Sequence, residues 1–249
     1  MQKYFFFLLL LNFFLFFALL ELEACFKNTI TNRLKKKEMK TRVFNLIIVD
    51  ESGSMSSIRQ QAFSGMNETL QTIKIVAERN PEMEQYVTLI TFDSNHTKLH
   101  YDNANGLNVV PLHERDYQPG GCTPLYDAIG TGIARVNAMT KEGDSVLVTI
   151  ITDGYENDSK EYSLKMVKNL IEKLKEQNWT FAFIGTDDLD VEGMAASMGI
   201  RETLCFARNP SQAEEMFREE KACRMAFYDC LIDPDKHSEK KSFFKKKHV

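Results

Sequence analysis

Short apolar runs alternate with longer amphipathic segments along most of the chain, and this alternation limits the possible folds more than any other feature. The run VFNLIIV at 43–49 is almost unbroken, and SVLVTIIT at 145–152 is the clearest of the runs. Runs of this kind are typical of strands that are buried on both faces of a sheet. Their alternation with helices predicts an α/β fold, with a doubly wound, mostly parallel central sheet and helices on both faces.

The same pattern gives approximate positions for the individual elements. Apolar residues at three- and four-residue spacing indicate helices, and runs rich in β-branched and aromatic residues indicate strands. The predicted helices cover residues 58–77, 125–136, 167–174, 191–198 and 211–231. The predicted strands cover residues 43–49, 86–92, 96–101, 107–112, 145–152, 179–184 and 203–206, with a turn at 102–106. No repeat or linker divides this region, which predicts one domain.

The first 38 residues differ sharply in composition from the rest. Residues 4–20 are almost all Phe and Leu, and four basic residues follow between positions 33 and 37. One interpretation is an inner-membrane anchor with the domain facing the cytoplasm, because the run is at the lower limit for spanning a bilayer and positive charges follow it. The other is translated upstream DNA, because the lysine-rich stretch before Met39 is encoded by purine-rich codons that resemble a bacterial ribosome-binding site. Met39 is then the true start.

We therefore predict three parts: a hydrophobic N-terminal segment at 1–38, a folded domain at 39–232 and a basic, disordered tail at 233–249. Lysines crowd the tail, but the formal net charge of the chain is -4, which gives no reason to expect nucleic acid as a partner. The five cysteines are scattered without a C-x-x-C pair, so they predict neither a disulfide framework nor a zinc site. We predict a cytoplasmic protein that contacts a membrane only if the N-terminal segment is a true anchor.

Three loops rich in side-chain oxygens fall at one predicted edge of the sheet. They are DESGSM at 50–55, GGCTPLYD at 120–127 and TDGYEN at 152–157. Ligands of open α/β sheets gather beyond the carboxyl ends of the strands, where such loops meet. The loops offer two carboxylates and three hydroxyls, all hard oxygen donors of the kind that Mg²⁺ prefers. The candidate metal ligands are Asp50, Ser52, Ser54, Thr123 and Asp153.

These residues, in this order and on these elements, resemble the metal-ion-dependent adhesion site (MIDAS) of von Willebrand factor A (vWA) domains. Asp50-x-Ser52-x-Ser54 is followed by Thr123 and then by Asp153-Gly154. The stretches GGCTPLYDAIG and TDGYEN are similar to those of compact bacterial members, including the group related to tellurite-resistance proteins. The resemblance covers residues 43–206 and implies a Rossmann-like fold.

The resemblance implies a protein-binding module and not an enzyme. In vWA domains the serines and the threonine supply direct or near-direct ligands, the aspartates often act through water, and a carboxylate of the partner completes the metal's coordination. The five positions match, and Cys122 beside Thr123 is a variation. Glu51 and Glu156 lie near the site, and we expect neither to be a ligand. We predict that Mg²⁺ (or Mn²⁺) bridges this domain to an Asp or Glu of another protein.

The alternative is a metal-dependent phosphohydrolase that uses Asp50 as its nucleophile. Haloacid-dehalogenase-type phosphatases need a second Asp two residues later, where this chain has Ser52. The glycine-rich motifs of dinucleotide-binding and P-loop proteins are absent from the sequence. The histidines at 96, 100 and 113 accompany no Ser or Cys motif, so nothing indicates a nucleophile–histidine pair.

Overall fold

Six strands form one sheet in the computed structural model of the protein, which describes residues 41–232 and 243–244. The strands are β1 (Thr41–Asp50), β2 (Met83–Phe92), β3 (Thr97–Asn105), β4 (Ser145–Thr152), β5 (Trp179–Thr186) and β6 (Glu202–Phe206). Their order across the sheet is β3-β2-β1-β4-β5-β6. Every pair is parallel except β2 and β3. The predicted doubly wound, mostly parallel sheet is confirmed.

Five α-helices cover the two faces of this sheet. They are α1 (Arg59–Arg79), α2 (Leu125–Asn137), α3 (Leu164–Lys175), α4 (Val191–Ser197) and α5 (Pro210–Ile232). Side chains of β1 alternate between two apolar clusters, one shared with α1 and α5 and the other with α2, α3 and α4. Burial from both sides explains why β4, near the centre, is buried at every position.

The pairing of β1 with β4 positions the candidate site. The two strands run parallel in a register that aligns Val49 with Ile151, so Asp50 and Thr152 end at the same edge. The chain leaves β1 through α1 on one face and enters β4 from α2 on the other face. Connections that depart to opposite faces open a crevice at the carboxyl ends of the strands, where ligands of such sheets bind.

The segment between β2 and α2 differs from the sequence prediction. We predicted a turn at 102–106, but β3 continues through Asn105 and pairs antiparallel with β2, with a local irregularity in register. The strand predicted at 107–112 was also wrong, because Gly106–Asn108 forms a 3₁₀ turn and irregular chain follows it.

Side chains explain why residues 107–112 form no strand. The Tyr101 hydroxyl donates to the Val110 carbonyl oxygen at 2.6 Å and accepts from the Val110 N–H at 3.0 Å. The amide group of Asn67 bonds both backbone groups of Leu112, at 2.7 and 3.3 Å. These contacts satisfy backbone groups that a strand would pair with a neighbouring strand.

A polar network lies within the apolar cluster beneath α5. The fully buried guanidinium of Arg224 donates to Glu220 at 2.6 and 2.9 Å, to Thr149 at 2.8 Å and to Asn45 at 3.0 Å. The Tyr228 hydroxyl donates to the same Asn45 oxygen at 2.6 Å. Because Asn45 belongs to β1 and Thr149 to β4, the network anchors α5 to the two central strands.

Most of the terminal segments lie outside the described residues, including the hydrophobic segment at 1–38. The predictions of an anchor and of a start at Met39 therefore stay predictions. No helix among residues 41–232 is long and apolar enough to cross a membrane. Of the predicted tail at 233–249, Phe243 and Phe244 are described. Phe244 is buried, and the Phe243 ring lies 6.3 Å from that of Phe227.

Candidate functional site

Asp50, the last residue of β1, carries a fully buried carboxylate. Its Oδ1 accepts from the Ser52 N–H at 2.7 Å and its Oδ2 from the Thr152 hydroxyl at 2.6 Å. The buried Tyr117 hydroxyl donates to the Asp50 carbonyl oxygen at 2.7 Å. Burial raises the pKa of Asp50 to about 6, although the bonds from Thr152 and Ser52 act to lower it. The ionised carboxylate is thus held in place at an energetic cost that a nearby cation would offset.

The two serines of the first loop connect to Asp153, which follows β4. The hydroxyls of Ser52 and Ser54 lie 3.1 Å apart, and Ser54 donates to Asp153 Oδ1 at 2.5 Å. Asp153 Oδ2 is buried and accepts no hydrogen bond from the described residues. Burial raises the pKa of this carboxyl, with Ser54 and Arg208 acting in the opposite direction. A buried carboxylate oxygen without a hydrogen donor is suited to a cation.

Oxygens from the first two loops converge around Gly154 of the third loop. A β-carbon on this glycine would lie 3.1 Å from Thr123 Oγ1, 3.5 Å from Ser54 Oγ and 3.7 Å from Asp50 Oδ2. The glycine therefore leaves open a small space that is bordered by two hydroxyls and a carboxylate. This space is the centre of the candidate metal site.

Two residues of the third loop hold the second loop, which carries Thr123, in position. Asn157 Oδ1 accepts from the Thr123 N–H at 2.8 Å, and the Asn157 N–H donates to the Thr123 carbonyl oxygen at 3.2 Å. Glu156 accepts from the Tyr126 N–H at 3.0 Å and from the Ser159 N–H at 2.7 Å. The carboxylate of Glu156 is thus engaged with loop backbone, and its role is to hold two loops together.

Glu51 has a comparable positioning role on the other side of the site. Its side chain is buried, pairs with Lys98 Nζ at 2.6 Å and accepts from the Gln118 N–H at 2.5 Å. Backbone bonds continue this contact, from Gly120 N–H to the Glu51 carbonyl oxygen and from Gly53 N–H to the Gly121 carbonyl oxygen. The first two loops are therefore joined by hydrogen bonds of the protein itself.

The structure brings the five sequence-predicted residues together at one edge of the sheet. The described residues, 41–232 and 243–244, include no group of three His, Cys, Asp or Glu that could hold a metal ion. Four further residues support the site and were not predicted from the sequence: Thr152, Asn157, Tyr117 and Arg208. Thr152 and Asn157 lie in a loop that the sequence analysis had singled out. No motif indicated Tyr117 or Arg208.

A family model described as von Willebrand factor type A domain matches residues 46–219. The chain belongs to this family. The resemblance that the three loops indicated is thereby confirmed at the level of the family. The relation to tellurite-resistance proteins and the completeness of the adhesion site in this vWA domain stay predictions.

Solved structures share the vWA fold at low sequence identity. The PilB minor pilin from Streptococcus sanguinis is 12% identical with a TM-score of 0.52, over 74% of this chain and 61% of that one. The vWF domain of the type V pili tip protein Mfa5 from Porphyromonas gingivalis is 9% identical with a TM-score of 0.53, over 76% and 96%. The pilus adhesin SpaC from Lactobacillus rhamnosus GG is 15% identical with a TM-score of 0.50, over 74% and 30%.

The chain spans about three fifths of the length of the PilB structure, and at such identities the likeness shows the fold alone. No curated protein matches the sequence.

Proposed function

We propose that this vWA domain binds one divalent cation, Mg²⁺ or Mn²⁺, and through it an Asp or Glu side chain of a partner protein. The observation that carries the proposal is the convergence of Asp50, Ser54 and Thr123 oxygens around Gly154. Ser52 and Asp153 extend the set through their contacts with Ser54. All these donors are hard oxygens, which suit a small divalent cation that keeps several waters.

The hydroxyl and carboxylate residues of the site would have different roles in binding the cation. The hydroxyls of Ser52, Ser54 and Thr123 would act as ligands, and the two aspartates would balance the charge directly or through water. The ion, when bound, supplies a Lewis-acidic centre for a carboxylate oxygen. Ser54 is exposed while both aspartates are buried, so the side of Ser54 is where a partner would approach.

The surroundings of Asp50 favour binding over hydrolysis. A carboxylate nucleophile needs an oxygen that is free to approach the substrate. Both oxygens of Asp50 accept hydrogen bonds, and the side chain is fully buried. These contacts support Asp50 as a fixed negative charge beside a cation and disfavour the phosphohydrolase alternative.

Added Mg²⁺ is expected to stabilise the purified chain against heat. A ligand that binds only the folded state adds about 2.7 kcal/mol at a hundredfold excess over its Kd. For a domain of this size, this raises the Tm by roughly 5–10 °C. Calorimetric titration of the same sample should show one site.

The control is NaCl at matched ionic strength, which should not reproduce the rise in Tm. If Mg²⁺ gives neither heat of binding nor a change in Tm at millimolar concentration, the proposed metal site is wrong.

Gly154→Ala is expected to weaken Mg²⁺ binding roughly tenfold, because the added methyl group overfills the space that Thr123 and Ser54 border. Gly120→Ala is the matched control. A β-carbon there meets nothing within 4 Å, although Gly120 belongs to the adjoining loop. Calorimetry on both variants measures the difference. Equal Kd values for the two would mean that the cation does not bind beside Gly154.

A further inference from the structure

Arg208, between β6 and α5, extends to the loop that follows β4. Its Nη2 donates to the Asp153 carbonyl oxygen at 2.5 Å and lies 3.1 Å from Asp188 Oδ2. Its Nε lies 3.4 Å from Asp153 Oδ2. The side chain is about one-third exposed, with a relative accessibility of 32%. One guanidinium thus contacts the loops after β4 and β5 at the edge that carries the candidate metal site.

The contact of Arg208 Nε with the Asp153 carboxylate is an ion pair without a hydrogen bond. Asp153 Oδ2 and Arg208 Nε are both buried and, among the described residues, neither has a hydrogen-bond partner. The other oxygen, Oδ1, accepts from Ser54. The carboxylate of Asp153 therefore lies between the hydroxyls of the site on one side and a permanent positive charge on the other.

A positive charge this close to a ligand carboxylate has opposite effects on cations and anions. It repels a divalent ion bound to the same carboxylate, and it attracts an anion that approaches that ion. We propose that Arg208 is a positioning residue that lowers the intrinsic affinity of the site for the cation and raises the affinity of the loaded site for a carboxylate. The bound cation and Arg208 then both attract the acidic partner. This inference rests on the proposed function.

Asp188 sets how strongly this charge acts. Its carboxylate pairs with Arg208 Nη2 and is 53% exposed, so it offsets part of the guanidinium charge from the solvent side. Removing the negative charge of Asp188 should therefore shift cation affinity in the direction opposite to the removal of Arg208.

Calorimetric titration of the full chain with MgCl₂ alone tests the effect on the cation. Arg208→Gln should bind Mg²⁺ about tenfold more tightly than the wild type. Arg208→Lys, which keeps the charge, should stay within about threefold, and Asp188→Asn should bind several-fold more weakly. The matched control is Arg201→Gln. Arg201 is exposed and precedes the first residue of β6, at the opposite edge of the sheet, and its replacement should leave the Kd unchanged.

Repeating the titration with sodium acetate tests the effect on the anion, with acetate as the carboxylate probe. Acetate should tighten Mg²⁺ binding in the wild type by a larger factor than in Arg208→Gln. An equal factor in the two proteins would overturn the role of Arg208 in attracting the carboxylate.

The outcomes separate this inference from the proposed function. If the wild type binds no Mg²⁺, the metal site itself is wrong. If the wild type binds and Arg208→Gln binds no more tightly, only the role of Arg208 is overturned. Melting curves check that each variant is folded. If Arg208→Gln does not fold, Asp188→Asn provides the test, because it changes the local charge while the arginine stays in place.

Discussion

Asp50→Asn is expected to abolish Mg²⁺ binding while leaving the domain at least as stable as the wild type. The amide oxygen can still accept from the Ser52 N–H, and the amide nitrogen can donate to the Thr152 hydroxyl, which also contacts the Gly154 carbonyl oxygen at 3.1 Å. The shape of the side chain is kept and its negative charge is lost. We expect the affinity for Mg²⁺ to fall by about a hundredfold or more.

The stability of this variant follows from the pKa of Asp50. Burial raises that pKa from 3.8 to about 6, so the folded protein holds an ionised carboxylate against its preference above pH 6. As the pH falls from 6 to 3.8, the folded state takes up this proton before the unfolded state does, and the cost disappears. In EDTA at pH 7.5 the free energy of unfolding of Asp50→Asn should exceed that of the wild type by on the order of 1 kcal/mol, and the difference should shrink towards pH 4.

The measurements are calorimetry for the metal, urea unfolding for stability and a pull-down from the source-cell lysate with and without EDTA. Asp144→Asn is the control, since Asp144 is also buried and accepts from the Lys141 N–H but precedes β4, at the opposite edge. It should keep wild-type Mg²⁺ affinity. Capture of a partner that survives both EDTA and Asp50→Asn would contradict metal-mediated binding. Phosphate-ester turnover that Asp50→Asn removes would favour the phosphohydrolase alternative.

Arg224→Met is expected to lower the free energy of unfolding by about 3–5 kcal/mol, the usual cost of removing one partner from a buried ion pair. The change leaves the Glu220 carboxylate buried without its cation, and Glu220 Oε2 already has no hydrogen-bond partner among the described residues. Thr149 and Asn45 each lose a donor as well. Urea unfolding, monitored by circular dichroism, measures the loss.

Lys221→Met provides a matched control on the same helix. Lys221 Nζ lies 2.6 Å from Glu68 Oε1, the same distance that separates Arg224 Nη2 from Glu220 Oε1. The side chains of Lys221 and Glu68, however, are 44% and 46% exposed. Breaking this exposed pair should cost less than about 1 kcal/mol. Replacing Arg224 and Glu220 together by Met and Leu should restore most of the stability, because no lone charge remains. Equal losses for Arg224→Met and Lys221→Met would show that burial does not govern the effect.

Local patterns in the sequence determined most of the fold and which loops meet. The apolar runs of β1 and β4 indicated strands buried on both faces, and the helical spacing at 58–77 and 125–136 indicated their connections. In a parallel sheet the strands end at one edge, so the loops after β1 and β4 had to be neighbours. Four of the five predicted site residues lie in these two loops, and the resemblance to vWA domains added Thr123.

Patterns at 102–112 were misleading because the deciding contacts there are made by single side chains. The run LNVV after Gly106 has the composition of a strand, but Tyr101 and Asn67 satisfy the backbone groups of this segment. Asn67 lies on α1, 45 residues before Leu112. Composition reports the preference of a segment for strand geometry, whereas pairing depends on which donors and acceptors reach it.

Only the tertiary structure determined the partners of the buried and half-buried charges. Arg224 meets Asn45 across 179 residues of chain, and Arg208 meets Asp153 across 55. In the sequence, Asn45 is one polar residue in an apolar strand. Arginine is a residue type that usually lies at the surface, so neither Arg208 nor Arg224 stands out. Periodicity indicates which face of an element is buried, but it carries no information on which residue lies opposite across the core. The charges that anchor α5 and border the metal site become visible only when the sheet is assembled.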